Sequence, residues 1–209
     1  MILAALGLVS LGLAVGLSGA VIPGPLLTFT VFDTSKKGRM TAHYVIAGHV
    51  LWELGLILLI TLGFGWIFEK NSNIIYLVGG GVLALMGADM VRRRPDQTAM
   101  ERPKVGSSIG GGLFYTVFNP AHPLWWGTAG LALLLKGLEV LGLLGVILVT
   151  LGHWLSDFGY YTFVSFLVHH HRSYVSPRQR QVALILGLFL VVLGVIFFRQ
   201  GLEETFFSR

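Results

Sequence analysis

The stretch Gly48-His49-Val50-Leu51-Trp52-Glu53-Leu54-Gly55 returns 104 positions later as Gly152-His153-Trp154-Leu155-Ser156-Asp157-Phe158-Gly159. The shared pattern is Gly-His-x-Leu-x-acid-x-Gly. Both copies lie near the middle of long apolar segments. An ionisable pair inside a lipid bilayer is costly, so it marks a functional site by default. Its recurrence marks the chain as a duplicated half, a common plan among membrane transporters.

The rest of the composition fits that plan. Of 209 residues 54% are hydrophobic and only 12% are charged, against about 25% charged in soluble domains. Six apolar segments follow one another: Leu3–Phe32, Tyr44–Phe68, Ile74–Val91, Ser107–Leu135, Leu138–Val168 and Val182–Phe198. Each is long enough to cross a hydrocarbon core of about 30 Å. They are too long and too uniformly apolar for barrel strands, so the expected fold is an all-α integral membrane protein with six transmembrane helices. The first segment lacks a basic start and runs on past Val21, which makes it a span rather than a signal peptide. Cysteine is absent, which excludes disulfide frameworks, thiolate metal sites and thiol redox relays.

Loop charges predict orientation. The first loop carries Lys36, Lys37 and Arg39, the third Arg92, Arg93, Arg94, Arg102 and Lys104, and the fifth Arg172, Arg178 and Arg180. Basic loops stay in the cytoplasm, so both termini are expected outside. The net charge of +5 therefore belongs to membrane topology rather than to nucleic-acid binding. The polar third loop divides the chain into a first three-helix repeat, 1–94, a cytoplasmic linker, 95–104, and a second three-helix repeat, 105–209. Three spans per half give the halves inverted topology. Further matches support the duplication: Gly80, Gly87 and Arg92 with Gly187, Gly194 and Arg199 at offset 107, and Gly16, Leu17 and Val21 with Gly112, Leu113 and Val117 at offset 96.

Helices 1 and 4 are expected to be broken at proline motifs, Pro23-Gly24-Pro25 and Asn119-Pro120-Ala121-His122-Pro123. Proline removes a backbone donor and clashes with the preceding turn. Backbone exposed by such a break is tolerated in a bilayer only beside protein or a water-filled cavity. Two breaks in corresponding spans point to a transport site. The half-helix N-termini suit a carboxylate and the opposing carbonyl ends suit a cation. A zwitterion uses both, and a small inorganic ion would also fit.

His49 and Glu53 share one helix face, as do His153 and Asp157. Burial favours the uncharged form of each partner and their attraction favours the charged form. Such pairs are candidates for proton coupling, with a structural hydrogen bond as the bland alternative. His122 lies inside the second break, and Trp126 either lines a pocket or fills the bundle. The candidate translocation site is thus Pro23, Gly24, Pro25, His49, Glu53, Asn119, Pro120, His122, Pro123, Trp126, His153 and Asp157. No catalytic residue, cofactor or resident metal is assigned. His169-His170-His171, beside Arg172, is a solvated juxtamembrane cluster.

Pro23-Gly24-Pro25, a basic first loop, Ala47-Gly48-His49 at the start of the second span and Asn119-Pro120 followed by Trp125-Trp126 together resemble the LysE-type amino-acid exporter family. The resemblance spans the whole chain. It implies export of amino acids or similar small metabolites, proton coupling, and a prokaryotic plasma membrane. His122-Pro123 departs from the Asn-Pro-Lys-Ala continuation common in those exporters. The function expected is alternating-access secondary export of a small amino acid or related metabolite. Divalent metal-ion export, using His49, Glu53, His122, His153 and Asp157, is the alternative, followed by an intramembrane zinc hydrolase. Expected partners are the small-molecule cargo and the lipid bilayer, with homo-oligomerisation left open and no nucleic acid.

Overall fold

Apolar residues on every side make Ile2–Ala20 a helix that can face lipid, and it forms α1 in the computed structural model, which describes residues 1–92, 105–175 and 178–206. The remaining elements are α2 (Pro25–Lys37), α3 (Thr41–Leu59), α4 (Trp66–Lys70), α5 (Ser72–Arg92), α6 (Val105–Val117), α7 (Ala121–Trp125), α8 (Leu131–His170), α9 (Arg172–Val175) and α10 (Gln179–Phe206). No strand occurs among the described residues. Wide π-type turns at Ile60–Phe64 and Trp126–Gly130 extend α3 and join α7 to α8. The expected linker, 95–104, lies outside the described residues.

Among the described residues, five helical stretches are long and apolar enough to cross a membrane: Ile2–Ala20, Thr41–Phe64, Ser72–Arg92, Ala121–His170 and Arg180–Phe206. The fourth of these is 50 residues long. It turns at Leu141 and Gly142, where Gly142 has φ +59°, a left-handed conformation that glycine adopts without steric penalty. The chain there falls into helices 131–140 and 143–170. The expected first segment divides too, because α1 stops at Ala20 and α2 restarts at Pro25. Pro25 opens α2 in the position where its missing N–H has no helical partner to lose. The expected fourth segment divides between Val117 and Ala121.

Three helix pairs form the interior: α1 against α8, α3 against α6, and α5 against α10. Small residues permit each close approach. A methyl group on Gly12 would collide with the carbonyl oxygen of Val149, and one on Gly112 with that of Val45. Gly152 abuts Val9 and Leu13, while Gly48 abuts Ile109 and Leu113. These contacts are reciprocal. Gly12 and Gly112 occupy matching places, an offset of 100, whereas the sequence match had paired Gly16 with Gly112. Glycine spacing alone left the register ambiguous by one helical turn. In the third pair Gly87 meets Gly187 and Val191, and Gly194 meets Gly80 and Ala84, which keeps offset 107. Leu51, Leu58, Leu85, Leu155, Ile185 and Val192 remain exposed on the outside, as a lipid-facing belt requires.

One polar cluster ties α2 to α6. Lys37 Nζ lies 2.7 Å from Asp33 Oδ1 and donates to Ser107 Oγ at 2.6 Å and Ser108 Oγ at 3.0 Å. Ser108 in turn donates to Asp33 Oδ2 at 2.6 Å. Asp33 is buried, so removing its cation leaves an uncompensated charge. Lys37→Met is expected to lower stability by about 3 kcal/mol. Lys37→Met with Asp33→Leu should recover part of that loss in thermal unfolding of the detergent-purified protein. A double variant no better than the single one would refute the charge argument.

Candidate functional site

The buried face of α3 carries Val45, His49, Glu53 and Leu56, spaced at three and four residues. That of α8 carries Val149, His153, Asp157 and Tyr161. Gly48 lets α6 close on α3 and Gly152 lets α1 close on α8, while α3 and α8 meet along these two faces. All four motif side chains are buried, Glu53 at 1% exposure.

Glu53 is the hub of the site. Its Oε1 lies 3.1 Å from His49 Nε2, 3.1 Å from His153 Nε2 and 3.0 Å from His122 Nε2. Trp126 Nε1 also donates to Oε1, at 2.9 Å. Trp154 Nε1 donates to Oε2 at 2.8 Å. Asp157 Oδ2 lies 3.5 Å from His49 Nε2 and 3.3 Å from His153 Nε2. Those are ion-pair distances, yet no hydrogen bond is aligned on Oδ2. The rings are held from the side as well: Trp125 stacks on His153 with centroids 5.1 Å apart, and His49 meets His122 edge-on at 5.1 Å.

The two motif histidines differ on their far side. His49 Nδ1 is 3.0 Å from Thr116 Oγ1. The Thr116 hydroxyl gives its one proton to the Gly112 carbonyl at 2.7 Å, so toward His49 it can only accept. His49 therefore carries its proton on Nδ1. His153 Nδ1 is buried without a partner. Gly16, one turn beyond Gly12 and matching Thr116, faces it, and a methyl built there would lie 2.6 Å from that nitrogen.

A cavity of about 180 Å³ opens on this cluster. Pro23, Gly24 and Pro25 line it from the first break, Asn119 and His122 from the second, and His49, Glu53, His153 and Asp157 from the motifs. The other three expected site residues are placed elsewhere. Pro120 packs against Gly79 of α5, Pro123 is buried in α7, and Trp126 is fully buried and holds Glu53 without lining the cavity. Asn119 caps the second break, accepting from Ala121 N–H through Oδ1 at 3.2 Å.

Sequence reasoning missed Thr116 and Tyr161 as parts of this centre, and it left Trp154 beside the motif without a role. Tyr161 stands one turn beyond Asp157, and that spacing could have found it. Trp154 and Thr116 stand where the other half has Val50 and Gly16, so comparing the halves hid them.

A family model described as LysE type translocator matches residues 17–201. The chain belongs to that family. No curated protein and no solved structure matches it significantly. The protein is thus a multi-pass membrane transporter and not an enzyme, and its family exports amino acids or related compounds. The zinc-hydrolase alternative falls with that assignment. The small-molecule cargo and the lipid bilayer are the translocator's expected surroundings.

Proposed function

We propose that the translocator exports a small amino acid or related metabolite by alternating access, driven by the proton gradient. One observation carries this: both helix breaks and both Gly-His-acid motifs face a single cavity of about 180 Å³. Its size suits a cargo of few heavy atoms, since drug-sized ligands occupy pockets of roughly 300 Å³ or more. The first turn of α2 leaves N–H groups without helical partners beside Gly24, a place suited to a carboxylate. Asp157 Oδ2, a buried acceptor with no hydrogen bond of its own, suits an ammonium group. His49, Glu53, His153 and Asp157 are the proposed proton carriers.

The architecture proposed with this function has six spans in two inverted three-helix halves, 1–94 and 105–209, with helices 1 and 4 broken and 95–104 on the cytoplasmic side. The matched contacts of Gly12 on Val149 and Gly112 on Val45, of Gly152 on Val9 and Gly48 on Ile109, and of Gly87 on Gly187 and Gly194 on Gly80 support a two-fold relation. The basic odd-numbered loops support an orientation with both termini outside, and membership of the LysE type translocators suits a prokaryotic plasma membrane.

Sealed vesicles loaded with labelled amino acids and given a pH gradient test the proposal. Efflux should follow the gradient, stop with a protonophore, and fall to background in Glu53→Gln/Asp157→Asn. Efflux unchanged in that double variant would remove the pairs from the mechanism.

A further inference from the structure

We infer that the cluster of His49, Glu53, His153 and Asp157 is a binding site for a divalent transition-metal cation of the zinc and cobalt class. The inference rests on the proposed transport site only for what the cation does there, since binding stands on the cluster's own geometry.

The distances carry the first part of the argument. Zinc holds nitrogen and oxygen ligands at about 2.0–2.2 Å, which sets the corners of a tetrahedron about 3.3 Å apart. His49 Nε2, Glu53 Oε1, His153 Nε2 and Asp157 Oδ2 form a closed ring with edges of 3.1, 3.1, 3.3 and 3.5 Å. The four residues offer ligand atoms that all lie within 4.8 Å of one another, so four of a tetrahedron's six edges are already matched and the two diagonals close when an ion fills the ring. Two imidazoles with two carboxylates suit a borderline divalent ion better than a hard one such as magnesium. Two carboxylates also balance a charge of two, so a filled site adds no net charge inside the bilayer.

Thr116 carries the second part. It holds His49 with the proton on Nδ1, which leaves the lone pair of the neutral ring on Nε2. That lone pair points at two carboxylate oxygens, 3.1 and 3.5 Å away. Lone pair facing carboxylate is repulsive unless a positive particle lies between them, and a second ring proton or a metal ion fills that role equally. A ring nitrogen fixed from behind by a hydrogen-bond acceptor is also how proteins orient metal-binding histidines. Glu53 Oε1 gives a further sign. Three imidazole nitrogens and an indole N–H crowd it at 2.9–3.1 Å, whereas a carboxylate oxygen has two lone pairs to offer. A cation between the imidazoles and the carboxylates relieves that excess. His122 Nε2, on the cavity side, is within reach as a fifth ligand.

The same oxygens are proposed to receive the cargo's ammonium group, so metal and amino acid would compete. The test uses Co²⁺ with the full-length protein in detergent, since a four-coordinate cobalt site absorbs strongly in the visible. His169→Ala/His170→Ala/His171→Ala serves as the starting background, which removes the surface histidines. One Co²⁺ per chain with that absorption is expected, displaced by Zn²⁺, lost in His49→Ala and Asp157→Asn, and weakened about 10–100-fold in Thr116→Val. Thr116→Val keeps all four ligands, so its monodisperse elution with weakened binding separates the site from misfolding. No absorption, or absorption that persists in His49→Ala, overturns the inference. Amino-acid efflux in vesicles is read separately. Cobalt bound without gradient-driven efflux supports the metal site and sinks the amino-acid proposal; efflux without bound cobalt does the reverse.

Discussion

Glu53→Gln is expected to reduce efflux by about 100-fold, the ratio corresponding to about 3 kcal/mol, and to lower the thermal midpoint. Glu53 offers acceptors on both oxygens: Oε1 to His122, His153 and Trp126, and Oε2 to Trp154. An amide replaces one of those acceptors with a donor. Whichever way it turns, at least one buried indole N–H then faces another N–H. Each such unsatisfied donor costs about 1–3 kcal/mol. Asp157→Asn should cost less stability, because no hydrogen bond is aligned on Asp157 Oδ2. Efflux and thermal unfolding of the two single variants, measured side by side, check this ranking. Equal stability losses would show that Glu53 is not the organising group.

Gly112→Ala, Gly12→Ala, Gly48→Ala and Gly152→Ala should each destabilise the bundle by about 1–3 kcal/mol through overpacking. In every case the added methyl group would collide with a carbonyl oxygen of the facing helix, on Val45, Val149, Ile109 and Val9 respectively. Backbone cannot swing aside as a flexible side chain can, so the helices must separate. Separation of α3 from α6 also moves His49 away from Thr116, so transport should fall with stability at Gly48 and Gly112. Gly7→Ala and Gly55→Ala are the controls. Neither methyl group would meet an atom within 4 Å, and alanine favours the helix by about 0.8–1.0 kcal/mol over glycine. Those two variants should be neutral or slightly more stable. Thermal unfolding of all six gives the answer, and a similar loss at Gly7 and Gly112 would argue that helix propensity, not close approach, governs these positions.

Much of the site was legible from residue identity and spacing. Histidine and acid four residues apart share a face in any helix, and proline removes a donor wherever it stands. The places of His49, Glu53, Pro25 and His122 in their own elements followed from that alone. The joining of α7 to α8 through a wide turn at Trp126–Gly130 did not, since Trp-Gly-Thr-Ala-Gly carries no signal for it. Trp126 illustrates the limit. Its indole was equally suited to packing or to lining a pocket, and it does neither simply: it is fully buried and donates to Glu53.

The amino-acid sequence by itself determined the membrane class, the positions of the two helix breaks, the paired Gly-His-acid motifs and the family resemblance. These are local properties: hydrophobic length, missing N–H groups and the periodicity of one helix. Only the tertiary structure decided that Gly12 rather than Gly16 matches Gly112, that Glu53 rather than Asp157 gathers the nitrogens, and that Thr116 orients His49. Each of those depends on how one helix is rotated and shifted against another. In a soluble protein an apolar stripe marks the buried face, but a helix surrounded by lipid is apolar on every side. Rotation is then set by where small residues let two backbones touch, and that is visible only once both helices are in place.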